Sequence, residues 1–298
     1  MSSSFRMHLQ KQNRYLKSKE YMLNDIYQSL DPIAFSIGPF SARWYGLAYV
    51  VGFLCAIAVM YVVGKRWKMR FTFDSLCIVL LCAMIGVIVG GRLGYVLFYN
   101  FEMYAADPLA IFNFSRGGMS FHGGFVGALI AGIIASRIIK MPFLSLVDLA
   151  MIGVPIGLFF GRCANFVNGE LWGAPTDLPW GVVFGGAAGM EPRHPSQLYE
   201  AFFEGIVLFV ILFVLSRKQP PFSQGTYSGV FMLGYGICRF MVEFIREPDV
   251  QLGYLWGGWL TMGQVLSVPL ILVGIGLLVY AWKTKHPQEG PRYGIEES

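Results

Sequence analysis

The sequence predicts an all-α fold: a polytopic integral membrane protein of about seven transmembrane helices with a small periplasmic head region. Three observations carry this. The 298 residues are 55% hydrophobic and only 14% charged, with a mean hydropathy of +0.54, far from the usual soluble balance. Several apolar runs reach the ~20 residues that a helix needs to cross a hydrocarbon core of about 30 Å. The runs are also continuous, whereas barrel strands alternate lipid-facing and lumen-facing residues over about ten positions.

In chain order, residues 1–30 form a basic extension with Arg6, Lys11, Arg14, Lys17 and Lys19. Its stretch from Lys11 to Tyr27 is either an amphipathic helix on the membrane surface or a disordered arm. Residues 1–40 hold no apolar region followed by a small-residue cleavage site, so the first span is expected to act as the insertion signal. Trp44 to Gly64 carries no charge, Ser75 to Tyr99 carries only Arg92, and Gly263 to Trp282 carries none. Ser120 to Ser136, Leu144 to Phe160, Leu198 to Leu215 and Thr226 to Ile245 complete the predicted set. Residues 31–282 thus read as one transmembrane catalytic domain and 283–298 as a cytoplasmic tail.

Basic residues follow alternate spans: Lys65, Arg66, Lys68 and Arg70, then Arg137 and Lys140, then Arg217 and Lys218, then Lys283 and Lys285. Lys and Arg in short loops mark the cytoplasmic side, so the N-terminus is expected outside and the C-terminus inside, against the basic N-terminal extension. Because these cations sort by membrane side, they form no nucleic-acid patch. The five cysteines, Cys55, Cys77, Cys82, Cys163 and Cys238, fall in or beside apolar spans. They show neither a disulfide framework nor metal-ligand spacing and read as small buried hydrophobes.

That orientation gathers the costly polar residues at one level, the outer half of the membrane. Charges placed in spans mark function because of their cost. Tyr45 opens the first span, Arg92 lies in the outer half of the second, and Ser120 and His122 open the third among glycines. Arg162, Asn165, Asn168 and Glu170 end the fourth. Tyr235, Arg239, Glu243 and Arg246 belong to the sixth helix, where the last three share one face. For each there is a plainer reading: Tyr45 as an interface anchor, Arg92 as a snorkelling cation or a partner of Glu243, His122 as a packing histidine. Arginine holds oxyanions through paired planar donors. A cluster of arginines in the outer leaflet therefore points to a phospholipid headgroup, and a histidine among them to proton transfer.

The stretch "GRCANFVNGELWG" (residues 161–173) and, around it, "DPIAFSIGPFSARWYGLAYVVGF", "GGRLGYVLFYN", "GGMSFHGG", "RHPSQLYE", "GYGICRFMVEFIREPD" and "MGQVLSVP" resemble the prolipoprotein diacylglyceryl transferase family of the bacterial inner membrane. The resemblance implies transfer of the diacylglyceryl group of phosphatidylglycerol to the lipobox cysteine of an exported prolipoprotein, beside its signal peptide. A thioether forms and glycerol phosphate is released. It implies His122 as base, Arg162 and Arg239 as phosphate-binding groups, Asn165, Asn168 and Glu170 as residues that position the headgroup and the arginines, and Gly173 as the residue that allows the turn that follows. Tyr45 and Tyr235 would line the lipid site with Glu243 and Arg246 in support, and Arg92 and Ser120 are expected as further substrate-binding residues. No metal and no cofactor is implied, and the partners are membrane lipid and the prolipoprotein. The chain departs from the family in its longer basic N-terminal extension, in a short connection from Gly173 to Arg193, and at Arg43. A transporter for an anionic solute is the rival from another class; it calls for midplane polar groups and related halves, and no internal repeat is found. A scaffold that merely binds lipid would not need His122.

Overall fold

The computed structural model describes residues 21–38, 40–113, 117–248, 253–255 and 257–293. The expected surface helix or arm over residues 11–27 lies mostly outside them. The described chain runs through helix α1 (Asn24–Gln28), strands β1 (Ile33–Ile37) and β2 (Phe40–Arg43), and helices α2 (Trp44–Arg66), α3 (Phe73–Tyr99), α4 (Phe101–Ala106), α5 (Phe121–Ile138) and α6 (Phe143–Asn168). It continues through α7 (Ser196–Leu215), α8 (Thr226–Val242) and α9 (Met262–Thr284).

The helical membrane class stands, with two differences from expectation. Five helices, α2, α3, α6, α7 and α9, are long and apolar enough to cross a membrane. The apolar helix over His122–Ile138 is shorter, and α8, with 17 residues, carries Arg239 in its last turn. Helix α8 gives up apolar character at its end to Arg239. The second difference is the antiparallel hairpin β1–β2, which pairs Ile33 with Arg43 and Ile37 with Phe40. Gly38 at its turn has φ +58°, a conformation that a residue without Cβ adopts cheaply.

The chain folds as two compact units. One comprises residues 1–51, 157–207 and 234–271, the other 52–156, 208–233 and 272–298.

In the second unit, α3 begins where Thr72 Oγ1 accepts the Ser75 N–H at 3.1 Å, and α5 begins where Ser120 Oγ accepts the Gly123 N–H at 3.2 Å. Such N-caps satisfy donors that the helix itself cannot. The two helices touch backbone to backbone along Gly86, Gly90 and Gly94 on one and Gly123 and Gly127 on the other. A Cβ on Gly127 would lie 2.0 Å from the Gly86 carbonyl oxygen, and one on Gly90 2.4 Å from that of Gly123. Small residues four apart replace the hydrophobic drive that lipid cannot provide.

Arg92 of α3 is buried and directs its five N–H donors at the segment leading into α5. It donates to Ile111 O at 2.7 Å, Ala110 O at 2.9 Å, Asn113 O at 2.8 Å, Gly117 O at 2.6 Å and Gly118 O at 3.0 Å.

At another point of this unit, the buried Asp148 carboxylate accepts the Gly225 and Ser228 N–H groups, each at 2.8 Å, and the Ser228 hydroxyl at 2.6 Å. It therefore caps the start of α8 from another helix, where the helix dipole favours an anion. Gln288 Nε2, beyond α9, adds a fourth donor at 2.6 Å. The same segment is held by Gln224 Nε2 on Pro287 O at 2.7 Å and by the Glu289 N–H on Ser145 Oγ at 3.1 Å.

In the first unit, the connection between α6 and α7 folds back on itself. Val182 and Arg193 exchange backbone hydrogen bonds of 3.0 and 2.9 Å, and Thr176 N–H donates to Pro192 O at 2.9 Å. Helix α1 packs on it, with the Tyr27 ring 4.9 Å from Phe184 and 5.4 Å from Phe166 between centroids.

The glycine seam yields a graded expectation. Gly127→Val is expected to destabilise the fold by about 1–3 kcal/mol through overpacking, read as a lower midpoint of thermal unfolding in detergent. Gly124→Ala, whose Cβ would meet nothing nearer than 3.5 Å, is expected to leave that midpoint unchanged or raise it.

Candidate active site

The signature stretch ends α6 in a sharp reversal. Gly169 (φ +66°) and Leu171 (φ +62°) both adopt left-handed backbone, which for leucine costs of order 1–3 kcal/mol unless its surroundings fix it. Those surroundings are specific. The Asn165 and Asn168 side-chain amides donate to the same Glu170 oxygen, Oε1, at 2.9 and 3.1 Å. From α7, Gln197 Nε2 donates to Glu170 O at 2.6 Å and Ser196 Oγ to Leu171 O at 2.8 Å. Gly173 then continues the chain against Arg246 in an isolated antiparallel bridge, its N–H on His194 O at 2.8 Å. A Cβ there would lie 2.6 Å from the Ile245 carbonyl oxygen. The expected positioning set is therefore one built turn. Burial pushes the pKa of the adjoining His194 below its ordinary value, and its Nδ1 lies 3.1 Å from the Tyr199 hydroxyl.

One turn back along α6, Arg162 enters a line of alternating charges. It meets Glu204 Oε2 through Nε at 3.3 Å and Nη2 at 3.1 Å, and Glu200 Oε2 through Nη1 at 3.2 Å. Glu200 Oε1 pairs with Arg239 of α8, which pairs in turn with Glu243. Glu243 Oε1 accepts from Arg246 at 3.0 Å, and its Oε2 accepts from the Thr261 hydroxyl at 2.6 Å. The order is Glu204, Arg162, Glu200, Arg239, Glu243, Arg246. Tyr235 lies within electrostatic reach of Arg162, Arg239, Glu200 and Glu204, and Tyr45 within reach of Arg162 and Glu170. Glu200 and Glu204 are fully buried, whereas the Arg162 and Arg239 side chains keep 15% and 13% of their surface exposed. The arginines are thus the accessible members of the line.

Charges taken out of water are tolerated when each finds a partner of opposite sign and further hydrogen bonds. Here two guanidiniums share one carboxylate and are held side by side, an arrangement able to grip a phosphate diester through planar paired donors. Of the residues expected at the site, the first unit brings Arg239, Glu243 and Arg246 into direct contact and joins Arg162 to them through Glu200, with Tyr45 and Tyr235 in reach and Asn165, Asn168, Glu170 and Gly173 in the adjoining turn. Arg92, Ser120 and His122 belong to the other unit, where Ser120 caps α5 and His122 is exposed in its first turn.

Sequence reasoning missed Ser196, Gln197, Glu200 and Glu204. A signal was present: Gln197, Glu200 and Glu204 follow at spacings of three and four, which places them on one helix face, and two acids inside an apolar span are as costly as two arginines. Geometry adds that Ala201–Val207 is a π-helical stretch, a distortion frequent at functional sites. Within it, Gly205 lets α7 press on Phe159, whose Cα would lie 3.0 Å from an added Cβ.

The description "Prolipoprotein diacylglyceryl transferase" belongs to a family whose profile matches residues 32–280. Among similar curated proteins is the phosphatidylglycerol–prolipoprotein diacylglyceryl transferase of Methylococcus capsulatus. It is 51% identical over 261 residues, covering 86% of this chain and 97% of that protein. The protein of the same name from Nitratidesulfovibrio vulgaris is 49% identical over 273 residues, covering 89% and 98%. That from Aeromonas hydrophila is 47% identical over 261 residues, covering 87% and 93%.

Removing one member of the line leaves its partners buried and under-neutralised. Arg162→Met is expected to cost about 3–5 kcal/mol of stability, measured by denaturant or thermal unfolding in detergent. Adding Glu204→Gln is expected to restore part of it, so that a double-mutant cycle shows non-additivity.

Proposed function

Since the chain belongs to the prolipoprotein diacylglyceryl transferase family, we propose that it moves the diacylglyceryl group of phosphatidylglycerol onto the thiol of the lipobox cysteine of exported prolipoproteins. This is the first step of bacterial lipoprotein maturation. The observation that carries the reading is the pair Arg162 and Arg239 held on one buried carboxylate, inside the stretch that the family matches.

The chemistry follows from the groups present. The cysteine sulfur attacks the glyceryl carbon, a C–S bond forms, and the C–O bond to phosphate breaks with its electron pair going to the oxygen. Charge therefore builds on the departing glycerol phosphate, and two adjacent guanidiniums oppose it where water is scarce. A thiol has an ordinary pKa of about 8.5, so it needs a base or a positive field near neutrality. His122, whose side chain is exposed in the first turn of α5, is the base in this reading, and the proton it takes passes to the leaving phosphate. Ser120 serves by starting that helix and Arg92 by holding the segment before it. Tyr45 and Tyr235 border the lipid headgroup. Glu243 and Arg246 extend the ion-pair line, and the Asn165, Asn168, Glu170 and Gly173 turn fixes Arg162.

In this reading α5 and α8 also cross the membrane, giving seven spans, with the catalytic level toward the periplasm, the N-terminus outside and the C-terminus inside. The enclosing bilayer is the bacterial inner membrane, residues 31–282 act as one catalytic domain, and the acceptor enters with its signal peptide.

The test is thioether formation by purified protein supplied with phosphatidylglycerol and a lipobox peptide. Arg162→Lys and Arg239→Lys keep charge but lose the planar fork, and each is expected to slow transfer about 10²–10³-fold. Solute flux without transfer would overturn the reading. For His122→Gln, a rate that recovers toward wild type at alkaline pH marks a proton acceptor; a loss equal at every pH marks a positioning role.

A further inference from the structure

The line of six charges is balanced, three guanidiniums against three carboxylates. A phosphodiester carries one negative charge. Its arrival between Arg162 and Arg239 would leave one charge uncompensated in a region where such an excess is costly. Proton uptake by one of the three acids removes the excess, and their surroundings differ. Glu200 has an arginine within ion-pair distance of each oxygen, although its Oε2 accepts no hydrogen bond among the described residues. Glu243 has Arg239, Arg246 and the Thr261 hydroxyl.

Glu204 ends the line. Among the described residues its one cationic contact is Arg162, at 3.1 and 3.3 Å, both to Oε2. Its Oε1 is buried with no hydrogen-bond partner among the described residues. The charged and titratable groups facing it are Arg162 from α6, Glu200 on its own helix, and Tyr235, Cys238 and Arg239 from α8. A phosphate on Arg162 and Arg239 competes for the single guanidinium that contacts Glu204 among the described residues, whereas Glu200 still shares two guanidiniums with it and Glu243 keeps Arg246 outright.

We propose that Glu204 is the proton acceptor of lipid binding: its carboxylate is ionised in the free protein and becomes a neutral acid when a phosphodiester engages Arg162 and Arg239. The proton comes from solvent, and no covalent bond changes in this step. The proposal rests on the phosphate-site reading above and adds a residue and a proton count to it. Glu204 is a positioning residue here, because it acts through Arg162 and touches no reacting atom.

Calorimetric titration of the full chain in neutral detergent with dihexanoylphosphatidylglycerol tests it, run at pH 7 in PIPES and in imidazole, whose heats of ionisation differ. Wild-type protein is expected to take up close to one proton per lipid. Its affinity then weakens up to tenfold for each pH unit over the range where the free acid is ionised. Glu204→Gln, neutral at the outset and of the same shape, is expected to bind with no proton uptake and no pH slope. Wild-type binding without proton uptake overturns the proposal. So does an unchanged proton count in Glu204→Gln, or loss of the count in Glu200→Gln instead. If Arg162→Met and Arg239→Met bind this lipid as wild type does, the phosphate-site reading itself falls and takes the proposal with it. Proton-free binding that those two substitutions abolish removes the proposal alone.

Discussion

A guanidinium or a carboxylate withdrawn from water must be answered by its opposite, and the ordering of Glu204, Arg162, Glu200, Arg239, Glu243 and Arg246 is that requirement met link by link. The consequences reach back into the backbone. Glu200 and Glu204 have to present one face, and α7 contains a π-helical stretch where Glu204 falls. Arg162 needs a fixed origin, and the end of α6 is held by an asparagine pair on Glu170 and by Ser196 and Gln197 of α7. Helix α8 gives up apolar length to carry Arg239. Any one of these features alone looks like an expensive irregularity; together they are the geometry that keeps two cations adjacent and partly open to a ligand.

The fold was legible where lipid dictates composition. Charge-free stretches such as Trp44–Gly64 and Gly263–Trp282 fall within α2 and α9, because backbone groups in hydrocarbon must be satisfied within the helix. The limits appeared where polarity and span coincide. Thr226–Ile245 read as one apolar run, yet α8 ends at Val242 because its last turns serve ion pairs. The β1–β2 hairpin escaped notice since "IAFSIGPFSAR" is a short, partly apolar run directly before a span, and hydropathy does not separate a short strand from a membrane edge.

For the site, arginines and asparagines were conspicuous by their cost and by family resemblance, while their counterions were not. Glu200 and Glu204 lie within a run rich in phenylalanine, leucine and valine, and the attention drawn by cations passed over the acids that hold them. Arg92 shows the converse. A cation in a span invites a ligand, and this one also directs hydrogen bonds at five carbonyls of one polypeptide segment, so it fixes chain whatever else it meets. Sequence spacing cannot distinguish these roles, because the deciding carbonyls are as far as 26 positions away along the chain.

The carboxylate of Asp148 draws donors from the start of α8 and from Gln288, beyond α9. Translation delivers the first of these long before the second. The carboxylate therefore gains its full donor set only once the segment beyond α9 lies back against it, and a partner or fusion that captured Gln288 would leave it one donor short.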